Sequence, residues 1–289
     1  SAVRQQLYPE DKIKYAGLML WRATTLMDTP FCGGDTMFMA GTNDAKLVAY
    51  PISKEAKEGG KSLVNWIAET YQREYDPDTF GYATKAAKDD FRHLYDDWKG
   101  GFWSQEQIDK GEGLDIQALI EGAEEVFAYP MCDRDPVEQW SFGHVTLLGD
   151  AAHAMRPNGS NGATQAILDG MALARLLAPS ALSARAEDTS TSGGTSAIAA
   201  ALVEYQEERL APTTRVVQAN RGTGPEKVLQ MAHDNPETPF EELDAVIAGY
   251  RKLAGFDAQR VNERYDAWQA EQDEQRSSAQ PEPEPAERL

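Results

Sequence analysis

The sequence has few cysteines, no long apolar run and a shortage of positive charge. Its 289 residues include only 2 cysteines, Cys32 and Cys132, too few for a disulfide framework and without a CxxC pair. It contains no apolar run of about 18 residues that would span a bilayer. Lys and Arg number 28 against 47 Asp and Glu, a formal net charge of −19. Because so acidic a surface repels phosphate backbones and anionic lipid, we expect a cytoplasmic protein without nucleic-acid or membrane partners.

Two common ligand motifs are also missing. The chain contains no GxGxxG, so it lacks the usual dinucleotide phosphate turn. The Gly-Gly-Lys-Ser at 59–62 resembles the end of a phosphate loop, but Glu55 stands where that loop needs a glycine, which favours an ordinary turn.

Asp150 and His153 could be read as metal ligands, yet the alanines around them supply no second carboxylate. We therefore expect no metal site, and a turn-closing role for His153.

Hydrophobic patterning predicts a mixed α+β fold with a largely antiparallel sheet and C-terminal helices. Strands are predicted at residues 15–25, 36–41, 46–52, 126–131 and 145–148. Helices are predicted at 62–75, over most of 85–125, and at 161–178, 196–219 and 241–253. The Ser, Thr and Gly run at 189–196 predicts a flexible loop, and the Pro/Glu-rich end predicts a disordered tail.

The segment 144–177, HVTLLGDAAHAMRPNGSNGATQAILDGMALARLL, carries the clearest chemical signal. An apolar strand is predicted to end at Gly149 and Asp150, and a helix to begin with Ser160 or Asn161 as its N-cap. No acid follows Asp150 until Asp169, which leaves the positive pole of this helix free for an anion or an electron-rich ring edge.

Small residues around the start of this helix fit the same interpretation. Gly159 and Gly162 carry no side chain, so a flat ligand could approach the backbone closely. Asp150 could accept hydrogen bonds from ligand hydroxyls. The spacing alone nevertheless leaves a ligand site and an ordinary strand–loop–helix unit equally open.

The run DRDPVEQWSFGHVTLLGDAAHAMRPNGSNGATQAILDGMALARLL resembles the second flavin motif of class A FAD-dependent aromatic monooxygenases. The likeness is to the PhzS-like branch of flavin-dependent oxidoreductases in that family. Three further stretches resemble the same branch: YAGLMLWRAT, LVAYPIS with NWIAE, and YRKLAGFD. The resemblance covers roughly residues 1–265, without the 187–196 insert and the tail.

The resemblance implies FAD as the cofactor and assigns roles to matching positions. Asp150 would bind the ribityl chain, and Pro157 would lie near the reactive face of the flavin. The backbone at 159–163 would meet the N1–C2=O edge of the ring system. The cofactor-binding candidates are Arg4, Gly149, Asp150, Pro157, Gly159, Ser160, Asn161, Gly162 and Ala163.

The substrate pocket is expected between the strands. Its candidates are Trp21, Arg22, Met37, Met39, Tyr50 and Arg156. Core packing is the alternative for the aromatic residues and methionines. Arg22 could hold a substrate carboxylate or form an ion pair at the rim, and Arg156 could bind an anion or be solvated. No general base is indicated.

The family implies hydroxylation of an aromatic or polycyclic small molecule with NAD(P)H and O2 through a flavin C4a-hydroperoxide. Because members begin with a GxGxxG turn, this chain is expected to be the C-terminal portion of such an enzyme. The alternative is a truncated, non-catalytic remnant or binding module that needs a separate GxGxxG-bearing half.

The expected parts are a remnant of an FAD-domain helix (1–11), the substrate-binding domain (12–135), the C-terminal part of a Rossmann-like FAD domain (136–180), a loop (181–197), C-terminal helices (198–276) and the tail (277–289).

Overall fold

The computed structural model describes residues 1–28, 31, 34–42, 44–72, 83–98, 106–107, 110, 114–178 and 196–255. Of the predicted loop at 189–196 only Ser196 is described, and the predicted tail lies outside the described residues. No described helix has the combination of length and hydropathy needed to cross a membrane.

The first half of the chain forms a six-stranded antiparallel sheet, which confirms the predicted sheet type. Its strands are β1 (Lys14–Met27), β2 (Phe38–Gly41), β3 (Ala45–Pro51), β4 (Ser62–Tyr71), β5 (Thr84–Ala86) and β6 (Val126–Asp133). The strand order is β2-β3-β4-β1-β6-β5. The long central β1 pairs with β4 on one side and with β6 on the other. A small second sheet consists of β7 (Ser141–Phe142) and β8 (Val145–Thr146).

One face of the large sheet is covered by the main hydrophobic core. Trp21 on β1 and Trp66 on β4 are buried together with Phe91 and Tyr95. Trp21 stacks on Phe91 with ring centroids 5.0 Å apart, and its Nε1 donates to Thr70 Oγ1 at 3.0 Å. The 3₁₀ helix Arg92–Trp98 and the helix Ile116–Glu121 contribute the covering layer.

The opposite face can be read from the strand register. Arg22 on β1 lies opposite Ile67 on β4, Ile67 lies opposite Val48 on β3, and Val48 lies opposite Met39 on β2. Side chains of directly paired residues point to the same face, so these four residues form one row across the sheet. Tyr50, two residues beyond Val48, shares this face because side chains alternate along a strand.

The predicted helix at 62–75 is wrong over residues 62–71, which form the strand β4, and residues 73–75 lie outside the described residues. Its apolar residues match the helical spacing, but Val64, Trp66 and Ala68 are buried in strict alternation. The segment lies between β1 and β3, and pairing on both sides satisfies its backbone groups. A pattern that fits both periods is therefore decided by long-range pairing.

The second half of the chain is mainly helical. Of the described helices, α1 (Ala2–Leu7), α2 (Lys54–Glu58) and α3 (Ile116–Glu121) lie in the first half, and the second half contains α4 (Asp150–His153), α5 (Gly162–Leu176), α6 (Ala197–Arg221), α7 (Lys227–Asp234) and α8 (Phe240–Leu253). The three predicted C-terminal helices are thereby confirmed as α5, α6 and α8. The prediction of helix over most of 85–125 is only partly right for the described residues, because β5 lies at its start, and residues 99–105, 108–109 and 111–113 lie outside the described residues. The predicted strand at 145–148 stops at Thr146, since only Val145 and Thr146 find partners on β7.

Candidate functional site

A buried carboxylate organises the Gly149–Asp150 turn. Asp169 on α5 is fully buried, and its Oδ2 accepts hydrogen bonds from the Gly149 N–H at 3.0 Å and from His153 Nε2 at 2.6 Å. Its Oδ1 accepts from Arg209 Nε on α6 at 2.9 Å. Burial alone would raise the pKa of Asp169, but the hydrogen bonds from His153, Gly149 and Arg209 outweigh burial and lower this pKa. An ionised Asp169 thus fixes the turn, and His153 contributes to the turn by its hydrogen bond to Asp169.

Arg4 supports the same turn from the other side. It is buried, and its Nε contacts Asp11 Oδ2 at 2.7 Å. Its Nη1 donates to the carbonyls of Ala151 at 3.0 Å and Ala152 at 2.9 Å, and its Nη2 donates to the Asp135 carbonyl at 2.8 Å. Each of these partners is a protein group, so the structure gives Arg4 a role in holding α4 in place.

Asp150 and Pro157 are exposed at this surface. In the part of the chain that is described, no residue donates a hydrogen bond to the Asp150 carboxylate. Asp150 borders a cavity of about 120 Å³ together with Cys132 and Met155. Pro157 begins a tight turn, because its carbonyl accepts from the Ser160 N–H at 2.8 Å.

Helix α5 begins with a positive pole that no side chain caps. Its N-cap is Asn161, whose side chain makes no capping hydrogen bond, and its first turn contains no acid. The N–H groups of Gly162, Ala163 and Thr164 have no acceptor within the helix, as in any first turn. A Cβ added at Gly162 would meet only Met155 Cγ, at 3.9 Å. Among the described residues, the first turn thus has neither an acid nor a side-chain cap, as the sequence predicts, and there is room for a side chain at Gly162.

Gly159 packs directly against a side chain of the protein, and its predicted contact with a flavin stays a prediction. Its φ is +101°, and a Cβ at this position would lie 2.3 Å from the Tyr250 hydroxyl. Tyr250 on α8, and not a ligand, therefore occupies the space that the missing side chain leaves. The Tyr250 hydroxyl donates to Asn220 Oδ1 at 2.5 Å, which ties α8 to α6.

Gly159→Ala should destabilise the protein by roughly 1–3 kcal/mol. Alanine is strained at the positive φ of this position, and its methyl group would overlap the Tyr250 ring. Gly170→Ala is the matched control. Gly170 lies inside α5 with nothing within 4 Å of an added Cβ, so alanine should stabilise by about 0.5–1 kcal/mol. Urea unfolding of the two variants measures both effects, and equal shifts would contradict this role for Gly159.

A chamber of about 450 Å³ opens beside the start of α5. Met37 and Met39 line it from the sheet. The turn contributes Gly159, Ser160 and Asn161, and Thr164 follows from α5. Apolar side chains of α7 and α8 complete the wall, together with Pro225, Glu226, Tyr250 and Arg251. The free helix pole and the chamber therefore share the residues of one turn.

The structure separates the predicted substrate residues into three groups. Met37 and Met39 line the chamber, as expected. Arg22 and Tyr50 lie on the same sheet face but outside it, and the Arg22 guanidinium lies over the Tyr129 ring at 5.4 Å in an open cleft of about 780 Å³. Trp21 lies on the opposite face, in the core, because side chains alternate along β1. It is therefore not part of the chamber wall.

Arg156 lies beside a buried carboxylate. Its Nε lies 3.4 Å from Asp133 Oδ2, and its Nη1 donates to the Arg221 carbonyl at 3.3 Å. It borders a polar cavity of about 130 Å³ between the sheet and the turn. The side chain thus belongs to an ion-pair group with Asp133 and Arg221.

Several chamber residues could not be found from sequence spacing. Glu226 follows α6 in a one-turn 3₁₀ helix, and Tyr250 and Arg251 lie on α8. The segment YRKLAGFD contains the last two and was singled out only by its resemblance. Nothing in the sequence around Glu226 indicates that it meets Lys46, which lies 180 positions earlier.

A family model and curated relatives both match this chain. Residues 123–220 match the family described as FAD binding domain. The chain is 34% identical over 261 residues to the phenazine 1,6-dicarboxylic acid hydroxylase PhzS of Lysobacter antibioticus, covering 88% of this chain and 56% of that protein. It is 28% identical over 184 residues to 6-hydroxynicotinate 3-monooxygenase of Pseudomonas fluorescens, covering 61% of this chain and 41% of that protein. The chain thus spans about half the length of these curated relatives.

Solved structures show the same fold. A salicylate hydroxylase in a substrate complex aligns with a TM-score of 0.57 at 19% identity and covers 85% of this chain and 58% of that chain. Klebsiella pneumoniae HpxO complexed with FAD and uric acid aligns with a TM-score of 0.53 at 20% identity and covers 90% of this chain and 55% of that chain. At this identity the alignments establish the fold.

Proposed function

We propose that this chain, which belongs to the family of FAD-dependent aromatic monooxygenases, is the part of such an enzyme that holds the flavin ring system and the aromatic substrate. One observation carries the proposal. Residues 159–161, which lead into the free pole of α5, and Thr164 in its first turn line the chamber. A ring system bound at the pole would therefore lie next to a ligand in the chamber.

The residues present fit a flavin. The uncapped N–H groups of Gly162, Ala163 and Thr164 form a donor set for the N1–C2=O edge of the ring. The exposed Asp150 carboxylate can accept hydrogen bonds from the ribityl hydroxyls, and Pro157 lies exposed at the start of the turn. Bound FAD would supply the exchange of electrons with NAD(P)H and the activation of O2.

The chain itself would position the substrate and exclude water. Met37 and Met39 offer an apolar wall to an aromatic ring, and Val228 and Ile247 add to it. Arg251 lines the chamber and forms no ion pair with a described residue, so it can bind an anionic group. The names of the relatives, among them phenazine 1,6-dicarboxylic acid hydroxylase and 6-hydroxynicotinate 3-monooxygenase, support an aromatic acid as the substrate class.

Titration of the purified chain with FAD tests this function. We expect saturable binding with quenching of flavin fluorescence and a shift of the visible absorbance bands. A spectrum that stays identical to that of free FAD at saturating protein would contradict the proposal. We do not favour a binding module without redox chemistry, because such a module has no need of a free helix pole at its ligand chamber.

A further inference from the structure

A buried ion cluster lies between the sheet and the turn. The Nζ of Lys46 on β3 contacts Glu69 Oε2 on β4 at 3.0 Å and also Glu226 Oε2. The three side chains are only 6%, 9% and 13% exposed, respectively. Two carboxylates share one ammonium group, so the fully ionised cluster carries excess negative charge. Removing such charge from water has a large desolvation free energy, and apolar packing could take its place without that penalty. The cluster therefore indicates a role beyond packing.

The two oxygens of Glu226 have different surroundings. Oε2 accepts from Lys46 Nζ and, at 2.7 Å, from Asn158 Nδ2 in the turn. Oε1 makes no hydrogen bond or ion pair with any residue that the structure describes. Glu226 lines both the chamber and the polar cavity of about 130 Å³. It is the single acid among the described residues of the chamber wall.

Other charged groups leave this arrangement intact. Burial tends to lower the pKa of Lys46, but the two carboxylates outweigh burial and raise this pKa, so Lys46 stays charged. Burial, with the nearby Glu226, raises the pKa of Glu69 against the opposing effect of Lys46. Arg156 borders the same polar cavity but pairs with Asp133. Tyr250 and Arg251 face the chamber from α8.

We propose that Glu226 is a substrate-recognition residue whose Oε1 accepts a hydrogen bond from a ring hydroxyl or ring N–H of the aromatic ligand. The proposal rests on the proposed function, because it takes the chamber as the aromatic site. Lys46 and Asn158 are positioning residues, since they bind Oε2 and leave Oε1 for the ligand. A ligand without a donor at this point leaves a buried carboxylate oxygen unpaired, and sites of this kind discriminate strongly.

The test compares two probes that differ by one O-methylation, which removes this donor and adds one methyl group, and Glu226→Gln separates the two effects. The affinities of 3-hydroxybenzoate and 3-methoxybenzoate are measured by isothermal titration calorimetry on the full chain with excess FAD. We expect the wild-type chain to prefer the hydroxyl probe by at least about tenfold, or about 1.4 kcal/mol. Glu226→Gln should lose most of this preference, because a neutral amide is a weaker acceptor than a carboxylate. Glu69→Gln, which changes the other carboxylate of the cluster, should retain it.

Three results would overturn the proposal: equal affinities in the wild-type chain, a full preference in Glu226→Gln, or no saturable binding of either probe. Comparison of the two probes on the wild-type chain still tests the proposal if Glu226→Gln does not fold. FAD titration of the same proteins separates this proposal from the proposed function. Normal FAD binding with no preference between the probes removes only the role of Glu226, whereas absence of FAD binding removes the proposed function.

Discussion

Ala163→Glu should weaken FAD binding by about 100-fold, or about 2.7 kcal/mol, while the protein itself becomes slightly more stable. Ala163 is an exposed residue in the first turn of α5, where no acid is present. A carboxylate there would interact favourably with the helix pole and stabilise the helix by about 0.3–1 kcal/mol. The same carboxylate would compete with the electron-rich edge of the flavin for the free N–H groups and would repel it.

The opposite signs of the two effects make this variant informative. Ala163→Gln is the matched control, because it has nearly the same size without the charge, and it should bind FAD several times more tightly than Ala163→Glu. Flavin fluorescence gives the affinity, and urea unfolding without FAD gives the stability. If both variants bound FAD like the wild type, the flavin edge would not lie at this pole.

Asp169→Asn should destabilise the protein by about 3–5 kcal/mol, the usual loss when one partner of a buried ion pair is removed. The substitution leaves the nearly buried Arg209 without its carboxylate partner. It also weakens the hydrogen bonds to His153 and the Gly149 N–H that fix the turn. Chemical unfolding near neutral pH measures the loss. Asp244→Asn, at an exposed acid of α8, is the control and should change stability by less than about 0.5 kcal/mol.

The pH dependence of this loss follows from the lowered pKa of Asp169. A carboxyl group with a lower pKa in the folded state contributes its full stabilisation above its unfolded pKa of about 3.9. The contribution disappears as the pH falls through the folded-state pKa. The stability gap between the wild type and Asp169→Asn should therefore be constant from about pH 7 to pH 5 and shrink below about pH 4. A gap that widens on acidification would contradict the assignment of an ionised Asp169.

Local patterns predicted the parts of the molecule in which one segment determines its own structure. The acid-free helix start after Asn161 required only the sequence between Asp150 and Asp169, and the structure has an uncapped α5 there. Met39 lies on β2 and Met37 lies just before it, two positions apart, and both line the chamber. The strands β1, β3 and β6 were found for the same reason, since their apolar and aromatic residues occur in short runs bounded by turn residues.

The predictions failed where contacts between distant segments determine the structure. Residues 62–71 satisfy the helical spacing, and only their pairing with β1 and β3 makes them a strand. Trp21 and Arg22 are neighbours in sequence, yet one is in the core and the other on the open face. Tyr250, which packs against Gly159, lies 91 positions away by number, so this contact could not be foreseen. Glu226 joins Lys46 and Asn158 only in the folded chain.

Hydrogen–deuterium exchange with and without FAD tests the central claim most directly, because it reports on the backbone N–H groups themselves. If the pole of α5 holds the flavin edge, saturating FAD should slow exchange in peptides that contain Gly162, Ala163 and Thr164. Peptides from the covered face of the sheet, around Trp66, should exchange equally in both states. Unchanged exchange at the start of α5 in the presence of saturating FAD would contradict the account.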